Sequence, residues 1–99
     1  MKILLQRWIF GKVVWGFTWE GTPETTMREL KLAACVALGK SAASVAQYAD
    51  HYVSQMCLIS WQNAAAARNG GQILDDCKTL AEYKYQDGEL ISVGISNNF

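Results

Sequence analysis

His51 is the single histidine of the chain, with Asp50 beside it and three cysteines, Cys35, Cys57 and Cys77, elsewhere. A Cys-His-Asp nucleophile system is the chemistry these residue types could perform. Neighbouring residues on a helix point about 100° apart, so Asp50 is badly placed to orient His51, and no glycine loop accompanies either as an oxyanion site. His51 is therefore read as a solvated histidine. The odd cysteine count and the lack of any CxxC argue against a zinc site or a disulfide framework. Cys35 and Cys57 fall where small apolar residues belong and are expected in the core; Cys77 lies in an exposed turn. Asp75 and Asp76 are too few for a hard cation, with only Glu82 and Asp87 near them in sequence, and are read as a solvated turn. Gly70-Gly71 has neither the helix nor the lysine of a phosphate loop. No catalytic residue, cofactor or metal ligand is expected.

The tryptophans carry the other available chemistry. Trp15 and Trp19 are expected inward. Trp8 runs out of phase with Ile3, Leu5 and Ile9, and Trp61 ends an apolar run, so at least one of these two should be exposed. An exposed indole near Arg7, Lys12 or Arg68 would suit stacking on an unpaired base or anchoring a partner peptide. The competing reading is partial burial under an inserted helix. Trp8, Tyr48, Tyr52, Ile59, Trp61 and Arg68 form the candidate partner-binding set.

These residues must be positioned by a small number of elements. Lys2 to Phe10 and Val13 to Trp19 read as strands of a hairpin turning at Gly11-Lys12, with Val13, Trp15, Phe17 and Trp19 on the inward face. Thr26-x-x-Glu29 is a capping box, and Met27, Leu30, Ala34 and Leu38 form the apolar stripe of a helix stopped by Gly39. Val45, Tyr48, Ala49, Tyr52 and Val53 keep helical spacing, so a second short helix is expected, with Ser41 or Ser44 as cap. Met56 to Trp61 reads as a strand. Gln62 to Asn69 is an Ala-rich linker, loop or one helical turn, and Gly70-Gly71 turns the chain into a short strand, Gln72 to Leu74. A last strand runs through Ile91, Val93 and Ile95.

Ninety-nine residues suit one domain, 1–99, with 51% hydrophobic residues to build its core. Nine basic residues balance nine acidic ones, so no global field draws the chain to nucleic acid, and any RNA contact must be local. The apolar start is interrupted by Gln6 and Arg7 and lacks a small-residue cleavage site, so it is read as a first strand and not a signal peptide. No window approaches ~18 uninterrupted apolar residues, so no membrane-spanning helix is expected. The thiols suggest a reducing compartment, cytosol or nucleus.

The segment from Gly70 to Ile95, with Leu74-Asp-Asp76, Thr79-Leu80-x-x-Tyr83 and the strand through Ile95, resembles the close of a ubiquitin-like domain. Ile3, Leu5, Gly11-Lys12, the helix from Thr26 to Leu38, and Leu58-Ile59 extend the resemblance over most of the chain. It implies an α+β fold of the β-grasp type: a mixed sheet of four to five strands on one main helix, here with a short inserted second helix. Leu80 and Tyr83 would plug one end of the sheet, the Tyr83 hydroxyl reaching a backbone partner. The chain closes on Ile95-Ser-Asn-Asn-Phe99 in place of the diglycine tail that conjugation needs. The family's usual binding patch would use Ile9 or Phe10 and Ile59 but falls near Gly94 on the last strand, where a side chain is missing.

Ile59-Ser-Trp61, the lengthened links around it and the spacing to Leu74-Asp-Asp76 and Leu80 are similar to the 25-kilodalton subfamily of the minor-spliceosome small nuclear ribonucleoproteins. That resemblance implies a non-catalytic nuclear module that binds protein partners within an RNA–protein complex, with mRNA splicing as its setting and no small-molecule substrate. The alternative within the family is a modifier, or an adaptor to degradation machinery. A cysteine-nucleophile enzyme is the third class.

Overall fold

The computed structural model describes residues 1–62, 68, 70–97 and 99. These form an α+β structure: strands β1 (Lys2–Ile9) and β2 (Lys12–Glu20), helices α1 (Met27–Ala37), α2 (Ala42–Gln47) and α3 (Ala49–Ser54), then strands β3 (Met56–Ser60), β4 (Gln72–Ile73) and β5 (Glu89–Ile95). The five strands make one mixed sheet in the order β2-β1-β5-β3-β4. β1 and β5 run parallel at its centre, and the other neighbours are antiparallel. One face of this sheet is covered by the helices, because Ile3, Leu5, Leu58, Ile91 and Val93 alternate inward against Met27, Leu30, Ala34 and Cys35 of α1 in a single apolar cluster.

The hairpin turns one residue earlier than its glycine suggests. Phe10 and Gly11 are the two central residues, with φ of 49° and 75°, and Ile9 faces Lys12. A two-residue turn that matches strand twist needs positive φ at both centres, so Phe10 takes the left-handed position and its ring is left fully exposed. Between Arg7 and Trp8 the register slips: Arg7 faces Trp15, Trp8 faces Val13, and Val14 is skipped. This bulge breaks the expected alternation of β2. Trp15 and Trp19 pack on the core, but Val13 joins the face of Trp8, and Phe17 on the sheet edge stays exposed.

Helix α1 starts as its sequence predicts. The Thr26 hydroxyl accepts from the Glu29 amide at 3.2 Å, and the Glu29 carboxylate accepts from the Thr26 amide at 3.2 Å. Two further first-turn amides are satisfied from the closing segment: Met27 donates to the Lys78 carbonyl at 2.9 Å and Arg28 to that of Asp76 at 3.0 Å. Gly39, with φ of 103°, ends the helix. The inserted stretch is two helices instead of one. Ser41 caps α2 through the Ser44 amide, and the chain breaks at Tyr48, whose φ and ψ of −117° and 33° are not helical, before α3 begins.

The closing segment behaves as expected at Leu80, fully buried, and at Tyr83, whose hydroxyl accepts from the Asp75 amide at 2.7 Å. The acidic pair differs from its reading as a solvated turn. Asp75 accepts from the Cys77 amide at 2.9 Å, while Asp76 meets the buried ammonium of Lys31 at 2.6 Å. Lys31 also donates to the Val53 carbonyl at 3.3 Å, so one ion pair ties α1, the end of α3 and the closing turn together. Cys35 lies in the core, its burial pushing the thiol above its ordinary range. Cys57 does not: β3 alternates Met56, Leu58 and Ser60 inward, which turns Cys57 to the opposite face, against Gly94. Of the Gln62 to Asn69 linker only Gln62 and Arg68 are among the described residues.

Candidate functional site

The sheet face turned away from the helices is built from the even positions of β5 and the odd positions of β3. Leu90, Ser92 and Gly94 alternate with the buried Ile91 and Val93, and Cys57 and Ile59 alternate with the buried Met56, Leu58 and Ser60. On the neighbouring strand Gln6 pairs with Ser92, and Trp8, two residues on, sits past the bulge at the end of the ladder. Trp61 follows the last residue of β3. These elements enclose a groove of about 470 Å³ lined by Trp8, Ile59, Trp61, Leu90, Ser92 and the backbone at Val93 and Gly94.

Three local features fix its shape. The Trp61 indole Nε1 donates to the Ser92 hydroxyl at 2.8 Å, which holds the ring against β5 in place of a free rotamer. Gly71, at a φ of 94°, lets the incoming backbone of β4 lie against that wall: a Cβ there would stand 2.3 Å from Ile59 Cγ2 and 3.3 Å from the Trp61 ring. Gly94 leaves the floor open, because a Cβ would stand 2.5 Å from Cys57 Sγ. The position without a side chain, Gly94, forms part of the depression itself. Trp8 and Trp61 remain 47% and 42% exposed, so each presents a ring to solvent over this floor.

Among the described residues no charged side chain lines the groove. Its one hydroxyl is already bonded to the indole, and the arrangement suits an apolar or aromatic side chain presented by a partner. Among the described residues, the cations set over aromatic rings are Lys40, over Tyr52 and Phe99, and Lys78, over Tyr83. Neither is set over a tryptophan ring.

The six candidate residues thus divide. Trp8, Ile59 and Trp61 come together in the groove, on the face opposite the helices; partial burial of the tryptophans under the inserted helix does not occur. Tyr48 is exposed, but beside Arg28, Asp50 and His51 on the helical side. Tyr52 is buried: its hydroxyl is 2.8 Å from the Ser44 hydroxyl, and its ring lies 5.7 Å from that of Phe99. A helical spacing that brings one tyrosine to solvent turns another, four residues on, into the core once the helix breaks between them. Arg68 is exposed and is not part of the groove lining. Leu90 and Ser92 were missed, although the period of two along β5 places both on the face of Gly94. His51 is exposed, and Asp50 is engaged by Arg28 at 2.6 Å. Among the described residues no group of three or more His, Cys, Asp or Glu converges to hold a metal ion, and no helix is long and apolar enough to cross a membrane.

No protein-family model and no curated protein matches this chain.

Proposed function

We propose that this chain is a ubiquitin-like β-grasp domain working as a non-catalytic interaction module, which takes an apolar side chain of a protein partner into the groove between Trp8 and Trp61. The single observation that carries the reading is an uncharged groove of about 470 Å³ walled by two half-exposed indoles, one of them pinned by Ser92. Aromatic residues so held contribute contact area at little cost in conformational entropy, which is why they dominate binding energy at interfaces. The strand order with a central parallel pair supports the β-grasp reading. The similarity of Ile59-Ser-Trp61 and its spacing to the 25-kilodalton small nuclear ribonucleoprotein of the minor spliceosome supports a place in a nuclear RNA–protein complex. On that reading RNA is reached through the protein partner, since the groove offers no cation to a phosphate.

Affinity purification with both RNA and protein identified tests this. The tagged chain should recover a small nuclear RNA together with its proteins, and the protein partner should be lost from Trp8→Ala and Trp61→Ala variants. Recovery of no small nuclear RNA at mild salt overturns the ribonucleoprotein setting. Undiminished protein recovery by both variants overturns the groove.

A further inference from the structure

The first hairpin outruns the helices that cover the sheet. By the period of two, Ile9 shares the helix side with Ile3 and Leu5, which are fully buried, yet Ile9 is 41% exposed. From Leu5 to the turn at Phe10 the strand runs on for about 16 Å. Its end is apolar on both faces and at the apex: Ile9 on the helix side, Trp8 and Val13 on the groove side, Val14 at the bulge and Phe10 at the turn are all exposed. Phe10 holds a φ of 49° there, a position that asparagine or glycine fills at less cost, so the turn by itself does not account for the ring. A partner docked on the groove covers one face only. Apolar side chains directed both ways from a projecting tip suit immersion in a continuous apolar medium.

The charges around this tip have one sign. Arg7 and Lys12, one on each strand, stand just behind the apex, and no acidic residue occurs from Ile3 to Trp19. Neither cation forms an ion pair among the described residues. The β5 residues that continue towards the same end of the sheet, Val93, Gly94 and Ile95, are uncharged. We propose that the tip of this hairpin inserts into the interface of an anionic phospholipid bilayer, Phe10 leading and Arg7 and Lys12 meeting the lipid headgroups. Trp8 and Phe10 are two residues apart, about 7 Å along the strand, within the ~5–10 Å depth that interfacial segments reach. An indole set behind a leading phenyl ring then lies at headgroup level, where tryptophan is favoured, and each cation gains from the negative surface. The bilayer is favoured over single-stranded RNA because Ile9, Val13 and Val14 are aliphatic and give a base no ring to stack on. This surface goes beyond the groove and does not depend on what the groove holds.

Flotation of the whole chain with vesicles of phosphatidylcholine containing about 30% phosphatidylserine tests this, against vesicles of phosphatidylcholine alone. The chain should float with the anionic vesicles, with a blue-shifted tryptophan emission, and bind the neutral ones at least tenfold more weakly. Arg7→Gln with Lys12→Gln should reduce binding to the anionic vesicles to the neutral level. Phe10→Asn should weaken it about tenfold while raising the thermal midpoint, because asparagine suits this turn; a fall in binding with a rise in stability separates loss of the anchor from loss of the fold. No binding to anionic vesicles overturns the proposal, as does binding that Phe10→Asn leaves unchanged. Capture of a single-stranded oligonucleotide in place of vesicles, lost in Phe10→Asn, assigns the tip to nucleic acid and also overturns it. Trp8, which the groove shares, is unaltered in these variants, so recovery of the groove's protein partner reads out separately.

Discussion

Gly94 shows how one missing side chain defines a surface. A methyl group at this position meets Cys57 Sγ at 2.5 Å, well inside contact distance. Gly94→Ala should therefore destabilise the fold by about 1–3 kcal/mol, the usual cost of overpacking, and Cys57→Ala in the same chain should recover most of it. Denaturant unfolding of the two single variants and the double measures this coupling. Tyr85 offers a second test. Burial pushes its phenol up to about 12, against an ordinary value near 10. The unfolded chain gives up that proton near pH 10 while the native chain holds it to about 12. The stability tied to Tyr85 is thus complete below pH 10 and falls as pH rises towards 12, by about 1.4 kcal/mol per unit at the steepest. Tyr85→Phe should remove that part of the slope in urea titrations across this range.

At the scale of elements, the first turn of α1 is where local and distant contributions meet. The capping box was legible because Thr26 and Glu29 need nothing beyond each other; Thr26→Ala should cost about 1 kcal/mol by thermal or urea unfolding. The ion pair of Lys31 was not legible. Lys31 lies on the buried side of α1 beside Leu30, and nothing along the helix says that Asp76, 45 residues on in the chain, will arrive 2.6 Å from it. Asp76→Ala leaves that ammonium buried with one carbonyl for a partner and should cost about 3 kcal/mol, the low end for breaking a buried pair, because the Asp76 side chain is itself 38% exposed. Lys31→Met in the same background should recover stability, since an apolar chain of similar length needs no partner there. The hairpin shows the same limit: Gly11 located the turn, but the positive φ at Phe10 and the bulge at Val14 come from twist matching across two strands.

For the whole molecule, the groove lies on the sheet face turned away from the helices. Trp61 lies 31 residues from Ser92, and their hydrogen bond joins the end of β3 to the centre of β5. Ser92→Ala should free the indole without unfolding the chain, which a red-shifted tryptophan emission and weaker partner recovery would report. The sequence alone determined the class of structure: the period of two in Ile3, Leu5, Leu58, Ile91 and Val93, the period near 3.6 in Met27, Leu30 and Ala34, and the caps at Thr26 and Gly39 are local patterns set by backbone geometry. The tertiary structure alone decided which aromatic residues face water. Trp8 and Tyr52 are each consistent with either side in one dimension. The β2 bulge at Val14 opposite Arg7 and Trp8, a helix break at Tyr48 and the arrival of Ser92 beside Trp61 settle them, because side-chain direction depends on how elements meet and not only on the spacing within each.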